Sequence, residues 1–271
     1  MRLTVLTDNH TYIDRYYLGE PALCFYLEDG DQKILFDTGY SDTAVKNAEA
    51  MGIDLSGLTM IIFSHGHNDH TRGLTYLWET FDLRNAALLA HPLAFAGKRY
   101  LGDLIGAPFS KADCAARGIK VMDGSGPVSI TDKLTWLGEI PRNTSFEAVE
   151  PIGEWNDENE WRSDYVRDDS ALVYDGEDGL FVITGCSHSG ICNILMHAKT
   201  IAGPDKPIQG IIGGFHLMEE NRQLTETIRF LKEAACGMLY PCHCVSLNAK
   251  HRMMTELPVA EVGVGLELEI R

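Results

Sequence analysis

The 271-residue chain contains no apolar run that approaches the roughly 18 residues needed for a membrane-spanning helix. Its first residues, Met1 to Asp8, turn polar too early for a secretory signal. Its 7 cysteines are odd in number and lack the spacing of a disulfide framework. These absences predict a cytoplasmic chain in a reducing compartment, with no membrane partner.

Basic residues are also scarce. The chain has 23 Lys and Arg against 39 Asp and Glu, and its formal net charge is therefore −16. No cluster of Lys or Arg stands out along the chain. An acidic surface repels phosphate backbones, and nucleic acid is therefore not expected as a partner. A small-molecule substrate remains compatible with this negative charge. Even an anionic substrate can bind, because a bound divalent metal reverses the local electric field.

The distribution of apolar residues predicts alternating strands and helices. Strands are predicted at residues 3–6, 22–27, 33–36, 58–63, 86–90, 134–137, 171–174, 180–184, 208–212, 238–240 and, as an edge strand, within 259–270. A helix is predicted from Ser41, its N-cap, to about Met51, with Gly52 as its C-terminal stop. Further helices are predicted after His70, near 111–117, over 191–201, over roughly 219–235 and after Ser246. Hairpins plus helices in each half favour an α/β fold, an αββα sandwich of two mixed sheets flanked by helices.

A single domain is predicted over residues 1–271. The segment from about 92 to 168 is the irregular part, since Glu147 to Trp161 is rich in Asn, Glu and Trp. A polar stretch of this length inside a compact domain indicates an insertion or a lid.

The densest chemical signal is Ser64-His65-Gly66-His67-Asn68-Asp69-His70, which directly follows the apolar run ending at Phe63. Imidazoles and carboxylates are the ligands of zinc and similar metals. On an extended chain, His65 and His67 project to one side. Asp69 and His70, at the start of a helix, can turn toward a second ion. The cluster therefore predicts a metal site rather than a solvated polar turn.

This arrangement, His65-x-His67-x-Asp69-His70, resembles the signature of the metallo-β-lactamase superfamily, and Phe36-Asp37-Thr38-Gly39 resembles the motif that precedes it. The resemblance implies a binuclear metal centre and the corresponding fold. It also implies that Asp37 supports the metal loop through hydrogen bonds or lies at the metal.

Three later motifs resemble one branch of that superfamily, described as dihydropterin-ribofuranosylaminobenzene-phosphate synthase-like. They are Thr184-Gly185-Cys186-Ser187-His188-Ser189-Gly190, Gly213-Gly214-Phe215-His216-Leu217 and Pro241-Cys242-His243-Cys244. The branch name implies the joining of a dihydropterin diphosphate to an aminobenzene ribotide with loss of pyrophosphate.

The sequence departs from the superfamily pattern at the second metal. Cys186 stands where most members have a bridging aspartate, and Asp168-Asp169 stands where an upstream histidine is expected. The resemblance therefore implies His188 as a substitute ligand and His243 as the final ligand, with Cys186 either a ligand or a buried neighbour. Cys242 and Cys244 are expected to point away from His243 on an extended chain and to serve as packing residues.

His216 follows Gly213-Gly214, a flexible turn that lets backbone approach a ligand. It is a candidate to bind substrate, act as an acid or complete a metal shell, with a structural histidine as the alternative. Asp69 is the second catalytic candidate, because a ligand that also hydrogen-bonds a bridging water can orient it and carry its proton.

Together these residues predict an enzyme with two divalent ions, zinc favoured and manganese or iron as alternatives. Its expected reaction is hydrolysis of a small ester, phosphoester or thioester by a metal-activated water. Pterin-diphosphate transfer and a non-catalytic metal-binding sensor or scaffold remain as alternatives.

Overall fold

The computed structural model describes all residues from Met1 to Arg271. Its strands are β1 (Arg2–Thr7), β2 (Cys24–Asp29), β3 (Gln32–Phe36), β4 (Met60–Ile62), β5 (Ala87–Ala90), β6 (Lys98–Tyr100), β7 (Asp103–Leu104), β8 (Lys120–Asp123), β9 (Val128–Ser129), β10 (Leu134–Trp136), β11 (Glu154–Asp157), β12 (Glu160–Ser163), β13 (Ala171–Gly176), β14 (Gly179–Thr184), β15 (Ile208–Gly213), β16 (Met238–Pro241) and β17 (Glu267–Glu269). Its helices are α1 (Thr43–Met51), α2 (Asn68–Thr71), α3 (Leu74–Thr80), α4 (Lys111–Ala116), α5 (Ile191–Ala202), α6 (Arg222–Glu233) and α7 (Leu247–Met254). The predicted α/β class is confirmed.

The chain forms two compact units, each with its own apolar core. The first unit contains Met1–Ser125, Ile152–Asp164 and Gly263–Ile270. The second contains Gly126–Pro151, Tyr165–Val262 and Arg271. The single domain over residues 1–271 and the lid within about 92–168 stay predictions.

The first unit is built on a mixed seven-stranded sheet with the order β17-β1-β2-β3-β4-β5-β8. Strands β3, β4, β5 and β8 run parallel, and the remaining pairs are antiparallel. The register pairs Phe36 with Ile62, and these residues end β3 and β4. Residues that follow these two neighbouring strands therefore meet at one edge of the sheet, where ligands commonly bind in α/β proteins.

The second unit is built on a mixed six-stranded sheet with the order β16-β15-β14-β13-β10-β9. Strands β14, β15 and β16 run parallel. Ile212 pairs with Ile183 on one side and with Tyr240 on the other, and the carboxyl ends of the three strands are therefore aligned. The loops that follow Thr184, Gly213 and Pro241 consequently lie side by side.

The polar stretch from Glu147 to Trp161 is more regular than the sequence indicates. Much of it forms an antiparallel hairpin of β11 and β12, which pairs through β11 with β6 in a four-stranded sheet of the first unit. The Arg99 guanidinium lies 4.1 Å from the centroid of the Trp161 ring and covers one of its faces. Cross-strand pairing and this stacking order a segment whose composition alone resembles a loop.

Several boundaries differ from the predicted ones for local reasons. Ser41 was predicted as the N-cap of α1, but its hydroxyl donates to the Glu20 carboxylate over 2.6 Å, and the helix begins at Thr43. Gly52 ends this helix at φ 72°, as predicted. The tail forms the predicted edge strand over Glu267–Glu269, where it pairs with β1. No helix is both long and apolar enough to cross a bilayer.

Lys98 and Asp164 form a buried ion pair in the first unit, with 2.7 Å between the ammonium and a carboxylate oxygen. Replacing one partner removes the opposite charge from beside the other in a medium of low dielectric constant. We expect Lys98→Met to lower the free energy of unfolding by about 3–5 kcal/mol, measured by urea denaturation. The double variant Lys98→Met/Asp164→Leu should recover most of this loss. Equal instability of the single and double variants would contradict the assignment.

Candidate metal centre

Three imidazoles cluster in the first unit, directly after β4. The ring centroid of His65 lies 4.5 Å from that of His67 and 4.3 Å from that of His70. His65 Nε2 and His67 Nδ1 are 2.9 Å apart. All three side chains are buried. The alternation of His65 and His67 thus brings both rings to one side of the chain, as predicted.

The backbone of this loop is tightly packed and then enters helix α2. A Cβ on Gly66 would lie 2.3 Å from the carbonyl oxygen of Ala94, and only glycine therefore fits between the two histidines. Helix α2 begins at Asn68 and carries the next two candidates. It places Asp69 Oδ2 3.6 Å from His70 Nε2, while the Asp69 side chain remains 30% exposed. Asp69 is therefore the accessible member of the group.

Asp37 supports the histidine cluster through hydrogen bonds, and its side chain is fully buried. Its Oδ1 accepts the backbone N–H of Ser64 over 2.7 Å, and its Oδ2 accepts the Ser64 hydroxyl over 2.7 Å. The same Oδ2 lies 2.7 Å from His70 Nδ1. This pairing directs His70 Nε2 away from Asp37, which is the usual way in which a carboxylate orients a metal-binding histidine. The hydrogen bonds expected of Asp37 are present.

The motif that contains Asp37 also connects the two short helices of the loop. Asp37 has a φ of 60°, in the left-handed region that favours glycine or a short polar residue. The next residue, Thr38, donates its hydroxyl to the carbonyl of His70 over 3.0 Å and accepts the N–H of Leu74 over 3.1 Å. Thr38 thus links the end of α2 to the start of α3, and this fixes the position of His70.

The second unit presents its candidates on the three loops after β14, β15 and β16. The ring centroids of His188 and His216 are 4.5 Å apart. His188 and His243 are buried, and His216 is half-buried. Each loop contains a non-glycine residue in the left-handed region, namely Ser187 at φ 59°, His216 at 47° and His243 at 51°. Such conformations cost on the order of 1–3 kcal/mol each and concentrate at functional sites.

Gly213 has a structural function that differs from the expected one. A Cβ on Gly213 would lie 2.0 Å from the carbonyl oxygen of Thr184. The residue also has a φ of 135°, which L side chains rarely adopt. Gly213 therefore lets β15 approach the end of β14 closely. This close approach explains why glycine is needed here, and no contact with a ligand has to be assumed.

Asp169 supports the loop that carries His188. Its Oδ2 accepts the backbone N–H of Ser189 over 2.8 Å. Complete burial raises the pKa of Asp169 to about 6, although hydrogen bonds from the backbone of Ser189 and His188 oppose the rise. The resemblance predicted an upstream histidine where Asp168-Asp169 stands, and Asp169 instead anchors the loop through the backbone.

Glu147, which the sequence placed in the polar middle segment, caps helix α5 from a distant part of the chain. Its carboxylate accepts the backbone N–H groups of Cys192 over 2.9 Å and of Asn193 over 3.1 Å. Only 2% of Glu147 is exposed, and this burial raises the pKa of its carboxyl. The Asn193 side chain in turn accepts the N–H groups of Asn143 and Thr144. This network fixes the start of α5, directly after the His188 loop.

We expect Glu147→Ala to lower the free energy of unfolding by about 1–3 kcal/mol, because two buried N–H groups at the helix start lose their acceptor. The exposed Glu150, three residues along the chain, provides a matched control. Glu150→Ala should change the unfolding free energy by less than about 0.5 kcal/mol. Urea denaturation of both variants measures the difference, and equal stability would exclude a capping function for Glu147.

The donor chemistry of both groups fits a transition metal. The first unit supplies three clustered imidazoles and an accessible carboxylate. In the second unit, the ligand atoms of Cys186, His243 and Cys244 lie within 4.8 Å of one another. Imidazole, carboxylate and thiolate are the ligands that zinc, iron and similar ions prefer. Cys244 was expected to point away from His243, but the left-handed φ of His243 interrupts the alternation of the strand.

The chain resembles known proteins over nearly its whole length. It is 29% identical over 255 residues to the uncharacterized protein MJ0448 of Methanocaldococcus jannaschii, covering 91% of each chain. It is 28% identical over 272 residues to the 7,8-dihydropterin-6-methyl-4-(beta-D-ribofuranosyl)-aminobenzene-5'-phosphate synthase of the same organism, covering 94% of this chain and 91% of the synthase. These similarities support the branch that the motifs indicated.

A similar solved structure is Tm1679, described as a metal-dependent hydrolase of the beta-lactamase superfamily. It is 28% identical to this chain, with a TM-score of 0.85, and the similarity covers 99% of this chain and 98% of that chain. Residues 18–199 match the sequence model of the metallo-beta-lactamase superfamily. This match spans more than half of the 271 residues, and the chain therefore belongs to the metallo-beta-lactamase superfamily.

Proposed function

We propose that this chain is a binuclear metal-dependent enzyme that hydrolyses a small ester, phosphoester or thioester. The observation that carries the proposal is the buried cluster of His65, His67 and His70, with His70 oriented by Asp37. The proposed ligands are His65, His67, Asp69, His70, His188 and His243. Zinc is the favoured metal, with manganese and iron as alternatives.

Bound divalent ions supply Lewis acidity toward a carbonyl or phosphoryl oxygen and make a coordinated water more acidic. The residues of the chain provide the remaining functions. Asp69, partly exposed beside His70, orients the attacking water and accepts its proton. Asp37 holds His70 in one orientation through Nδ1. His216, half-buried and against the ring of His188, is the proposed donor of a proton to the leaving group.

Two relatives support different reactions at such a centre. The likeness to Tm1679, a metal-dependent hydrolase, favours attack by water. The likeness to the aminobenzene-phosphate synthase favours a second candidate, transfer from a pterin diphosphate to an aromatic amine with release of pyrophosphate. Both reactions use a small anionic or polar substrate whose charge the metals would balance. The excess of acidic residues is compatible with either.

Metal analysis and substrate assays test the proposal together. Protein purified without chelator should contain about two transition-metal ions per chain by elemental analysis. A hydrolase should convert a phosphodiester, a thioester or a pterin diphosphate with water alone. A transferase should release pyrophosphate only when the aromatic amine is also present. Failure to bind zinc, manganese or iron would contradict an enzyme of either kind, and tight binding without turnover would favour a sensor or scaffold.

A further inference from the structure

Cys186 and Cys244 form a pair of buried thiols beside His243. Cys186 lies on the loop after β14 and Cys244 on the loop after β16. In the sheet, β15 lies between these two strands. Their sulfur atoms and a ring nitrogen of His243 all lie within 4.8 Å of one another. The Cys244 thiol also lies 3.5 Å from the backbone oxygen of Cys186. Two sulfur donors and one nitrogen donor therefore converge.

The loop after β15 provides the space in which the two thiols meet. A Cβ on Gly214 would lie 2.5 Å from Cys244 Sγ and 3.3 Å from the Cα of Cys186. A side chain at this position would therefore displace Cys244 from Cys186. The hydrogen bond from Gly214 N–H to the Gly185 carbonyl, 2.8 Å long, holds the glycine against the Cys186 loop. The left-handed φ of His243 turns Cys244 toward this space.

These thiols differ from two other buried cysteines of the same unit, Cys192 and Cys236. Cys192 and Cys236 belong to the apolar core, and burial raises the pKa of both thiols. Cys186 and Cys244 lie outside that core, although each is at least nine-tenths buried. A thiol that only fills space is expected among apolar side chains. The position of this pair next to an imidazole indicates a different function.

We propose that Cys186 and Cys244 both bind one metal ion as thiolates, together with His243, and that this position selects soft or borderline divalent ions. The proposal rests on His243 as a ligand of the proposed centre. In a tetrahedral zinc site with these ligands, the donor atoms are about 3.5–3.8 Å apart, which is compatible with donor atoms that lie within 4.8 Å of one another. Two thiolates favour zinc, cobalt, iron(II) or cadmium and disfavour magnesium, calcium and manganese.

Cobalt titration of the metal-free protein tests the proposal without an activity assay, because cobalt bound by thiolate absorbs through sulfur-to-metal charge transfer. The wild type should develop this near-ultraviolet band. Cys186→Ser and Cys244→Ser should each retain about half of it, and the double variant should lose it. Cys242→Ser is the matched control, because Cys242 is the buried cysteine on the other side of His243. This control should keep the full band.

A second measurement counts the sulfur atoms directly. X-ray absorption of the zinc-loaded protein should show two sulfur neighbours per chain at about 2.3 Å in the wild type and in Cys242→Ser. It should show one in Cys186→Ser and in Cys244→Ser. Zinc affinity at this position should fall by at least about 10-fold in each of these two variants. Circular dichroism of the metal-free variants verifies that they fold.

The outcomes separate this proposal from the proposed function. Cobalt binding with an unchanged charge-transfer band in Cys244→Ser would overturn ligation by Cys244 and leave the binuclear centre in place. Cobalt binding without any such band in the wild type would overturn ligation by both thiols. Absence of cobalt binding would overturn the centre itself, and with it the present proposal.

Discussion

Asp69→Ala is expected to lower turnover by about 10³-fold or more, because it removes both a proposed metal ligand and the group that orients the attacking water. The side chain is 30% exposed and lies 3.6 Å from His70 Nε2, outside the apolar core. Its loss should therefore change the free energy of unfolding by less than about 1 kcal/mol in the metal-free protein. Bound metal should fall from about two ions per chain toward one.

The measurements are steady-state kinetics on a substrate that the wild type converts, elemental analysis and urea denaturation of the chelated protein. Glu49→Ala removes one negative charge from an exposed position on α1 and serves as the control. This control should retain wild-type turnover and metal content. A folded Asp69→Ala variant with full turnover would contradict the function assigned to Asp69.

The arrangement of the candidate residues in the first unit follows largely from the local sequence. His65 and His67 are two residues apart on an extended chain, and Asp69 and His70 begin a helix; these relations depend only on local geometry. Asp37 could be assigned only through the resemblance, because its partners Ser64 and His70 lie 27 and 33 residues away along the chain. The parallel pairing of β3 with β4 brings them together.

The candidate residues of the second unit were harder to predict because their geometry depends on backbone conformation. The alternation rule assumes an extended chain, and His243 departs from it with a φ of 51°. Cys244 was consequently assigned to packing. Glu147 was missed for another reason, since a carboxylate that caps a helix 45 residues away has no local signature. The capping function of a buried acid within a polar stretch becomes recognisable only when the N–H groups that donate to it are located in three dimensions.

The expected result for Asp37→Asn follows from the hydrogen bonds that Asp37 accepts. An asparagine of the same shape can keep the Ser64 N–H through its oxygen, but its amide places a donor opposite His70 Nδ1. His70 must then accept at Nδ1, and its ring proton moves to Nε2. A protonated Nε2 cannot bind a metal, and zinc affinity should therefore fall by about 10–100-fold.

Asp37→Ala separates this effect from a loss of structure. The alanine leaves the Ser64 N–H, the Ser64 hydroxyl and His70 Nδ1 without the carboxylate, and should lower the free energy of unfolding by about 3 kcal/mol or more. Asp37→Asn retains part of the network and should be the more stable variant. Asp8→Asn, at another buried carboxylate of the first unit, should leave zinc affinity unchanged.

Two measurements on the metal-free protein test whether Asp37 sets the tautomer of His70. Competition with a coloured chelator gives the zinc affinity of each variant. Nitrogen NMR of the imidazoles identifies the protonated ring atom of His70, which should be Nδ1 in the wild type and Nε2 in Asp37→Asn. Wild-type zinc affinity in Asp37→Asn, with the proton still on Nδ1, would show that Asp37 does not set the tautomer. A shifted proton together with weakened zinc binding would identify the Asp37–His70 hydrogen bond as the interaction that keeps the histidine ready to bind metal.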